Sequence, residues 1–339
     1  MRRSRRPSAS DGGGRLGAAA GFFLHPASPL HDTGWGHPEH QGRLRALAQT
    51  VGRDLLTLHG HVDQMECGEA ELDDVLRVHT PAHVQTVREA CRRAEEGDTL
   101  VALDTDTKVS GGSWEAALGS AGAGIAAAKA VVAGDIRTAF VAGRPPGHHA
   151  TPDRAMGFCL FNSIAVVARW LQTHGHAERV LIVDWDVHHG NGTQDAFYED
   201  PTVYFVSLHQ SPHYPGTGAA EERGAVAGEG YTLNVPLPGG TPRPEYRERF
   251  ERAVLEATDG FRPDFVLVSA GFDVMAGDPL GGMLLEPDDL HAMTRFLVER
   301  VATSCDGRVI ALLEGGYDPV RLGVGAVAVI RALAGLPFG

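Results

Sequence analysis

Three side chains in the second half of the sequence have the types and the spacing that hold a divalent metal ion. Asp186 and His188 flank one residue at the end of a predicted strand. Alternate residues of a strand point the same way, so both side chains can reach one ion. Asp273 follows another predicted strand and can supply a third ligand. Two carboxylates and one imidazole leave positions open for water and a substrate oxygen, and they suit Zn²⁺ as well as Fe²⁺, Co²⁺ or Mn²⁺.

Two adjacent histidines, His148 and His149, follow a Pro-Pro-Gly turn and are candidates for proton transfer. Each imidazole needs an acceptor that sets its tautomer. Asp184 and Asn191, on the loop with the candidate metal ligands, can each provide one. An Asp partner raises the basicity of an imidazole more than an Asn partner does, so the two histidines should differ in protonation and divide the roles between them.

Tyr317 is a candidate for polarising a substrate carbonyl. It follows Gly315 and Gly316, and glycines allow the backbone to come close while the phenol stays accessible. A phenol donor opposite a metal ion stabilises the oxyanion that forms when water attacks an amide.

The elements that must position these groups alternate along the chain. Short apolar runs predict buried parallel strands, at 138–142, 179–184, 202–208, 264–269 and 308–313, with an earlier core strand starting in FFLHP after residue 21. Helical patterns lie between them, at 113–133, 162–173, 244–259 and 287–304. The alternation indicates an α/β fold with a parallel sheet. Carboxyl ends of parallel strands share one edge, where ligands bind, so the polar loops after these strands should converge.

Composition limits the class of protein. The net charge of -13 disfavours direct binding to nucleic acid, which needs a basic face. No apolar run approaches the ~20 residues of a membrane span, so we expect no membrane association. The four cysteines form no CxxC pair, which favours a reducing, cytoplasmic setting. Residues 1–20 are predicted to be a disordered extension, and residues 21–339 a single catalytic domain.

Seven motifs together resemble the histone deacetylase family of the arginase–deacetylase superfamily, in its class II-like and bacterial branch with the acetylpolyamine amidohydrolases. They cover roughly residues 22–335, and they are HPE (37–39), RPPGHH (144–149), GFCLFN (157–162), DWDVHHGNG (184–192), YPGTG (214–218), GFDVMAGDPLGG (271–282) and EGGY (314–317). The resemblance implies a three-layer αβα fold with a mostly parallel central sheet. It also implies a metal-dependent deacetylase that hydrolyses acyl amides, releasing acetate and a free amine.

The resemblance also implies a role for each candidate. Asp186, His188 and Asp273 would hold the zinc, and Tyr317 would polarise the acyl carbonyl. His149, beside Asn191, would be the general base and then the general acid. His148, paired with Asp184, would be mainly electrostatic. A tunnel for the acylated arm would be lined by Gly157, Phe158, Tyr214 and Leu280.

The family also implies a structural monovalent cation, K⁺ or Na⁺. Its expected neighbours are Asp184, Asp186, His188, Ser207 and Leu208, and a second such site would involve Phe197, Asp200, Val203 and Tyr231.

Other readings remain open. A binuclear ureohydrolase is disfavoured, since Met275 stands where the arginase branch has a second aspartate. An acetylpolyamine deacetylase is the main alternative to an acyl-lysine deacetylase. Leu280 resembles the position of a polyamine-recognising glutamate, which favours acyl-lysine, whereas Asp104 or Asp106 could hold a substrate amide or a cationic amine. An inactive acyl-lysine binding module is the remote alternative, and a homo-oligomer is compatible with the sequence.

Overall fold

The computed structural model of the protein describes residues 19–339. Its centre is an eight-stranded sheet with the order β2-β1-β5-β10-β9-β6-β7-β8, in which every neighbouring pair is parallel. These strands are β1 (Ala20–Phe23), β2 (Val62–Met65), β5 (Thr138–Val141), β6 (Val180–Asp184), β7 (Val203–Gln210), β8 (Thr232–Leu237), β9 (Phe265–Ala270) and β10 (Val309–Leu313). A small antiparallel pair, β3 (Val101–Ala102) and β4 (Lys108–Val109), lies apart from the sheet.

The strands that the sequence predicted all lie in this sheet. The strands at its two edges and the β3–β4 pair were not predicted. β2 has the sequence VDQM and β8 has TLNVPL. Polar residues and a proline are tolerated at a sheet edge, and they hide the apolar run by which a central strand is recognised.

Helices cover both faces of the sheet. The predicted ones are α5 (Ser113–Ala133), α6 (Ser163–Thr173), α8 (Arg243–Phe261) and α9 (Pro287–Arg300). Asn162 caps α6 by accepting a hydrogen bond from the Ala165 amide, which satisfies one of the free amides of the first turn. Six helices were not predicted, namely α1 (Gly42–Arg53), α2 (Leu55–Leu58), α3 (Leu72–Val75), α4 (Pro81–Gly97), α7 (Asn191–Phe197) and α10 (Pro319–Leu333).

The core consists of two apolar clusters, one on each face of the sheet. Alternate residues of β6 divide between them, with Leu181 and Val183 in one cluster and Val180 and Ile182 in the other. The first cluster packs under α1, α8, α9 and α10, and the second under α4, α5 and α6. This is the three-layer α/β architecture that the sequence motifs implied.

The expectation that no run is long and apolar enough for a membrane span was wrong for α5. Its 21 residues pass that test by length and composition, but 78% of the apolar window is buried inside the protein. Small residues let this helix pack closely: a Cβ on Gly122 would overlap the backbone of Gly68 and Glu69. α5 is therefore a buried core helix of the protein.

The predicted N-terminal extension lies outside the described residues up to position 18. Its last predicted residue, Ala20, is the first residue of β1.

Candidate active site

The carboxyl ends of five neighbouring strands bring the polar loops together at one edge of the sheet. β5 leads to His148 and His149, β6 to Asp186 and His188, and β9 to Asp273. β10 leads to the loop of Tyr317, and β7 leads to that of Tyr214. All but Tyr214 are buried.

Asp186, His188 and Asp273 form a cluster whose ligand atoms lie within 4.8 Å of one another. His188 Nδ1 is 3.0 Å from Asp186 Oδ1 and 3.3 Å from Asp273 Oδ2. Asp273 Oδ2 is buried and accepts no hydrogen bond within the described part of the chain. A buried carboxylate oxygen without a partner is costly, and a cation shared by the three groups would satisfy it. The donor set and the geometry therefore fit a divalent ion.

The backbone fixes the two carboxylates. Asp273 Oδ1 accepts a hydrogen bond from the Val187 amide at 2.9 Å, and Asp186 Oδ2 accepts one from the Gly315 amide at 2.8 Å. Only glycine fits at position 315, because a Cβ there would overlap the carboxylate oxygens of Asp273 and Asp186. These contacts leave Asp273 Oδ2 facing the other two candidate metal ligands.

The two adjacent histidines have the partners expected from the sequence. His148 Nδ1 lies 2.9 Å from Asp184 Oδ2, and His149 Nδ1 lies 2.8 Å from Asn191 Oδ1. Burial lowers the pKa of His148, but the charges of Asp186 and Asp184 outweigh burial and hold that pKa well above its usual value. Burial, together with the charges of His148 and His188, holds the pKa of His149 well below its usual value. The pair is therefore asymmetric, with His149 the neutral imidazole that can accept a proton.

Tyr317 lies at the wall of the same site. Burial raises the pKa of its phenol well above the usual value, so the hydroxyl stays protonated and can donate. The Arg43 guanidinium packs over the ring at 4.9 Å from its centroid. The backbone amides of Tyr317 and Asp318 both donate to Asp278 Oδ2, at 2.6 and 3.2 Å.

A cavity of about 440 Å³ opens onto these groups. The four predicted tunnel residues line it, together with Asp106, His149, His188, Gln210, His213, Pro279, Gly281, Gly282 and Tyr317. Phe158 has a left-handed backbone with φ 67°, a strained conformation for a non-glycine residue. Its amide donates to Thr107 Oγ1 at 3.1 Å, and its ring packs edge-on against Tyr317. Tyr214 packs edge-on against His149 with ring centroids 5.1 Å apart.

The remaining candidates have distinct placements. Asp106 lines the cavity, whereas Asp104 does not and accepts hydrogen bonds from Thr105 in its own loop. Ser207 pairs with Asp184 across β6 and β7, and Leu208 follows it, so both predicted cation neighbours adjoin the site. At the second predicted cation site, the carboxylate of Asp200 accepts hydrogen bonds from Arg169 and Thr202.

Sequence reasoning missed a buried charged network beneath the site. Glu39 pairs with Arg43 at 2.9 Å and with Arg144 at 2.6 Å. Arg43 also donates to the carbonyls of Glu314 and Gly316, and Glu314 accepts hydrogen bonds from the amides of Gly147 and His148. Glu39, Arg144 and Glu314 occur in the HPE, RPPGHH and EGGY motifs, whereas Arg43 lies in α1 outside them. The available signal was the charge of Arg144 and Glu314 just after apolar strands.

Comparisons with known proteins identify the family. The chain matches the Histone deacetylase domain over residues 37–333. It is 38% identical to a probable deacetylase of Archaeoglobus fulgidus, over 93% of this chain and 86% of the relative. It is 40% identical to a histone deacetylase-like amidohydrolase of Pseudomonas aeruginosa, over 93% of this chain and 80% of the relative.

A solved structure, the HDA15 HD domain, superposes with a TM-score of 0.87 at 37% identity and covers 95% of this chain and 90% of that one. The family and the fold inferred from the sequence motifs are thus confirmed. The chain belongs to the histone deacetylase family.

Proposed function

We propose that the protein is a zinc-dependent deacylase that removes acetyl or other acyl groups from acyl-lysine side chains. Its family consists of deacetylases and amidohydrolases, so the protein is a hydrolase. One observation carries the proposal: the unpartnered Asp273 Oδ2 belongs to a cluster with Asp186 and His188, and His188 lines the cavity together with His149 and Tyr317.

Asp186, His188 and Asp273 would hold the metal ion. When bound, a zinc ion supplies Lewis acidity, which polarises an acyl carbonyl and lowers the pKa of water. The chain's own residues then account for orientation and proton transfer.

The acylated arm enters between Phe158 and Tyr214, and its carbonyl oxygen receives a hydrogen bond from the phenol of Tyr317. His149 accepts a proton from the attacking water, since its imidazole is neutral, and passes that proton to the leaving amine. Asn191 Oδ1 holds the Nδ1 proton of His149, which leaves Nε2 to exchange protons. The charged His148–Asp184 pair stabilises the site electrostatically.

The cavity wall favours acyl-lysine over acetylated polyamine. Leu280 lines the cavity and offers no charge to a distant amine. Asp106 is the one observation that favours a polyamine, because its carboxylate lines the same cavity. We further propose a K⁺ or Na⁺ ion near Ser207 and Leu208, and a cytoplasmic location that suits four unpaired cysteines.

A metal-reconstituted deacetylation assay tests the proposal. It compares an acetyl-lysine peptide with N-acetylputrescine and N-acetylspermidine, each with and without a hydroxamate. Hydroxamate-sensitive preference for the peptide is the expected result. Preference for the polyamines would retain the mechanism and overturn the substrate, and peptide binding without turnover would point to a binding module.

A further inference from the structure

Trp35 is a fully exposed tryptophan in the loop before His37. It stands at the tip of a tight turn over residues 34–37, which the His37 amide closes by donating to the Gly34 carbonyl at 3.4 Å. Gly34 and Gly36 on either side have φ of 93° and 76°, backbone that glycine adopts without strain. The turn therefore projects a large aromatic ring into solvent at a fixed place.

His37 ties this turn to the cavity. Its ring packs edge-on against Phe158 with centroids 4.8 Å apart, and its Nε2 lies 3.1 Å from the carbonyl oxygen of Asp106. Phe158 and Asp106 both line the cavity. Trp35, two residues before His37, thus adjoins the entrance through which the acylated arm would pass.

The surroundings of Trp35 are acidic. Asp32 precedes it in the same loop, and Asp104 and Asp106 lie on the neighbouring loop. None of these three carboxylates pairs with an Arg or Lys among residues 19–339. The residues lining the cavity include Asp106 but no Arg or Lys. An aromatic face next to unpaired carboxylates is an environment that attracts a cation.

We propose that Trp35, with Asp106, forms a docking surface for a basic side chain that flanks the acylated lysine of a peptide or protein substrate. This inference rests on the proposed acyl-lysine activity and adds a sequence preference to it. The cationic flank would lie against the indole face while the acylated arm occupies the cavity.

The test uses three acetyl-lysine peptides of equal length, with Arg, Gln or Glu on both sides of the acetyl-lysine. The full chain should show kcat/KM for the Arg peptide about two- to fivefold above that for the Gln peptide, as expected for a solvent-exposed cation–π contact. The difference should lie in KM, because contact with a remote group is the same in the ground state and the transition state.

Substitutions at Trp35 separate the aromatic contribution from apolar contact. Trp35→Leu should lower the preference for Arg to the share that the Asp106 carboxylate supplies, and Trp35→Phe should keep most of it. The matched control is Leu56→Ala, since Leu56 is also exposed but lies on α2, and this change should leave the preference intact.

Equal kcat/KM for the Arg and Gln peptides, or an Arg preference that Trp35→Leu does not lower, overturns the inference while leaving acyl-lysine hydrolysis standing. Failure to hydrolyse any of the peptides, with acetylpolyamines turned over, overturns the proposed function and this inference with it. Sedimentation of the wild type and Trp35→Leu tests whether a second copy of this chain binds at Trp35 instead. Loss of an oligomer on substitution would assign Trp35 to a contact between copies and overturn the inference.

Discussion

Asp278 holds both the Tyr317 loop and one wall of the cavity. Its Oδ2 accepts the amides of Tyr317 and Asp318, and its Oδ1 accepts the amide of Leu280 at 2.9 Å. The residue is buried, and no other hydrogen bond to the Tyr317 amide is present in the described region. We therefore expect Asp278→Asn to impair turnover although Asp278 does not line the cavity.

The size of the effect follows from the number of acceptors. Both carboxylate oxygens of Asp278 accept backbone amides, whereas an asparagine offers one oxygen, so its NH₂ group must face an amide donor. Hydrogen bonds to charged groups contribute about 1.5–3 kcal/mol each. If the loss falls on Tyr317 in the transition state, kcat should fall about tenfold to a hundredfold. The part of the effect that acts through the Leu280 backbone, in the cavity wall, should raise KM.

A double-mutant cycle with Tyr317→Phe isolates the effect on the phenol. Asp278→Asn should lower kcat strongly in the wild type and only slightly in the Tyr317→Phe background, because the phenol through which it acts is then absent. Asp259→Asn is the control, since Asp259 is an exposed aspartate paired with Arg300, and it should leave kcat unchanged. Multiplicative losses in the double mutant, or an unchanged kcat for Asp278→Asn, would refute the positioning role.

Four further predictions follow from the site and its supports. Tyr317→Phe should lower kcat about 100- to 1,000-fold with little change in KM; unchanged turnover would exclude the phenol as the carbonyl donor. Chelation should abolish activity and lower the melting temperature, and Zn²⁺ should restore both, because a ligand that binds only the folded state stabilises that state. Calorimetry with and without metal measures the change in melting temperature. Leu280→Glu should shift kcat/KM from acetyl-lysine peptide towards acetylspermidine, and an unshifted ratio would show that this position does not select substrate. Burial raises the pKa of Glu39, but the charges of Arg144 and Arg43 outweigh burial and hold that pKa at about 2, against an ordinary 4.5. The ionised carboxylate therefore stabilises the fold fully above pH 4.5, and this stabilisation is lost as the pH falls towards 2. Glu39→Gln should therefore cost about 3–5 kcal/mol in the free energy of unfolding near neutral pH, with the deficit shrinking over that acid range in denaturant titrations; a deficit independent of pH would contradict it.

The central strands were predictable because burial on both faces demands continuous apolar runs. TAFVA, RVLIVD and RVIALL carry that signal, and polar loops directly after them gave the approximate position of the site. The same pattern predicted that Asp186, His188 and Asp273 would lie close together. Their roles as metal ligands remain predictions that metal reconstitution has to test.

Other elements were not predicted. α1 is amphipathic, and α10 begins with Pro319 after the N-cap residue Asp318, so both helices carry local signals that were not used. The two helices pack against each other in the first apolar cluster. Gln210 is the last residue of β7, His213 lies in the loop that follows, and both line the cavity. His213 Nε2 bonds the Leu280 carbonyl at 2.8 Å, a contact across 67 positions that no spacing rule reveals.

The buried charges explain how two separate parts of the site keep their relative positions. Glu314 accepts the amides of Gly147 and His148 through Oε2, and its Oε1 accepts Ser269 Oγ at 3.0 Å. Arg43 donates hydrogen bonds to the carbonyls of Glu314 and Gly316, and Gly316 directly precedes Tyr317. The turn that carries His148 and His149 is thus anchored to the short segment after β10 that carries Tyr317. A buried hydrogen-bonded network of this kind fixes geometry, which the proposed combination of proton transfer and carbonyl polarisation requires.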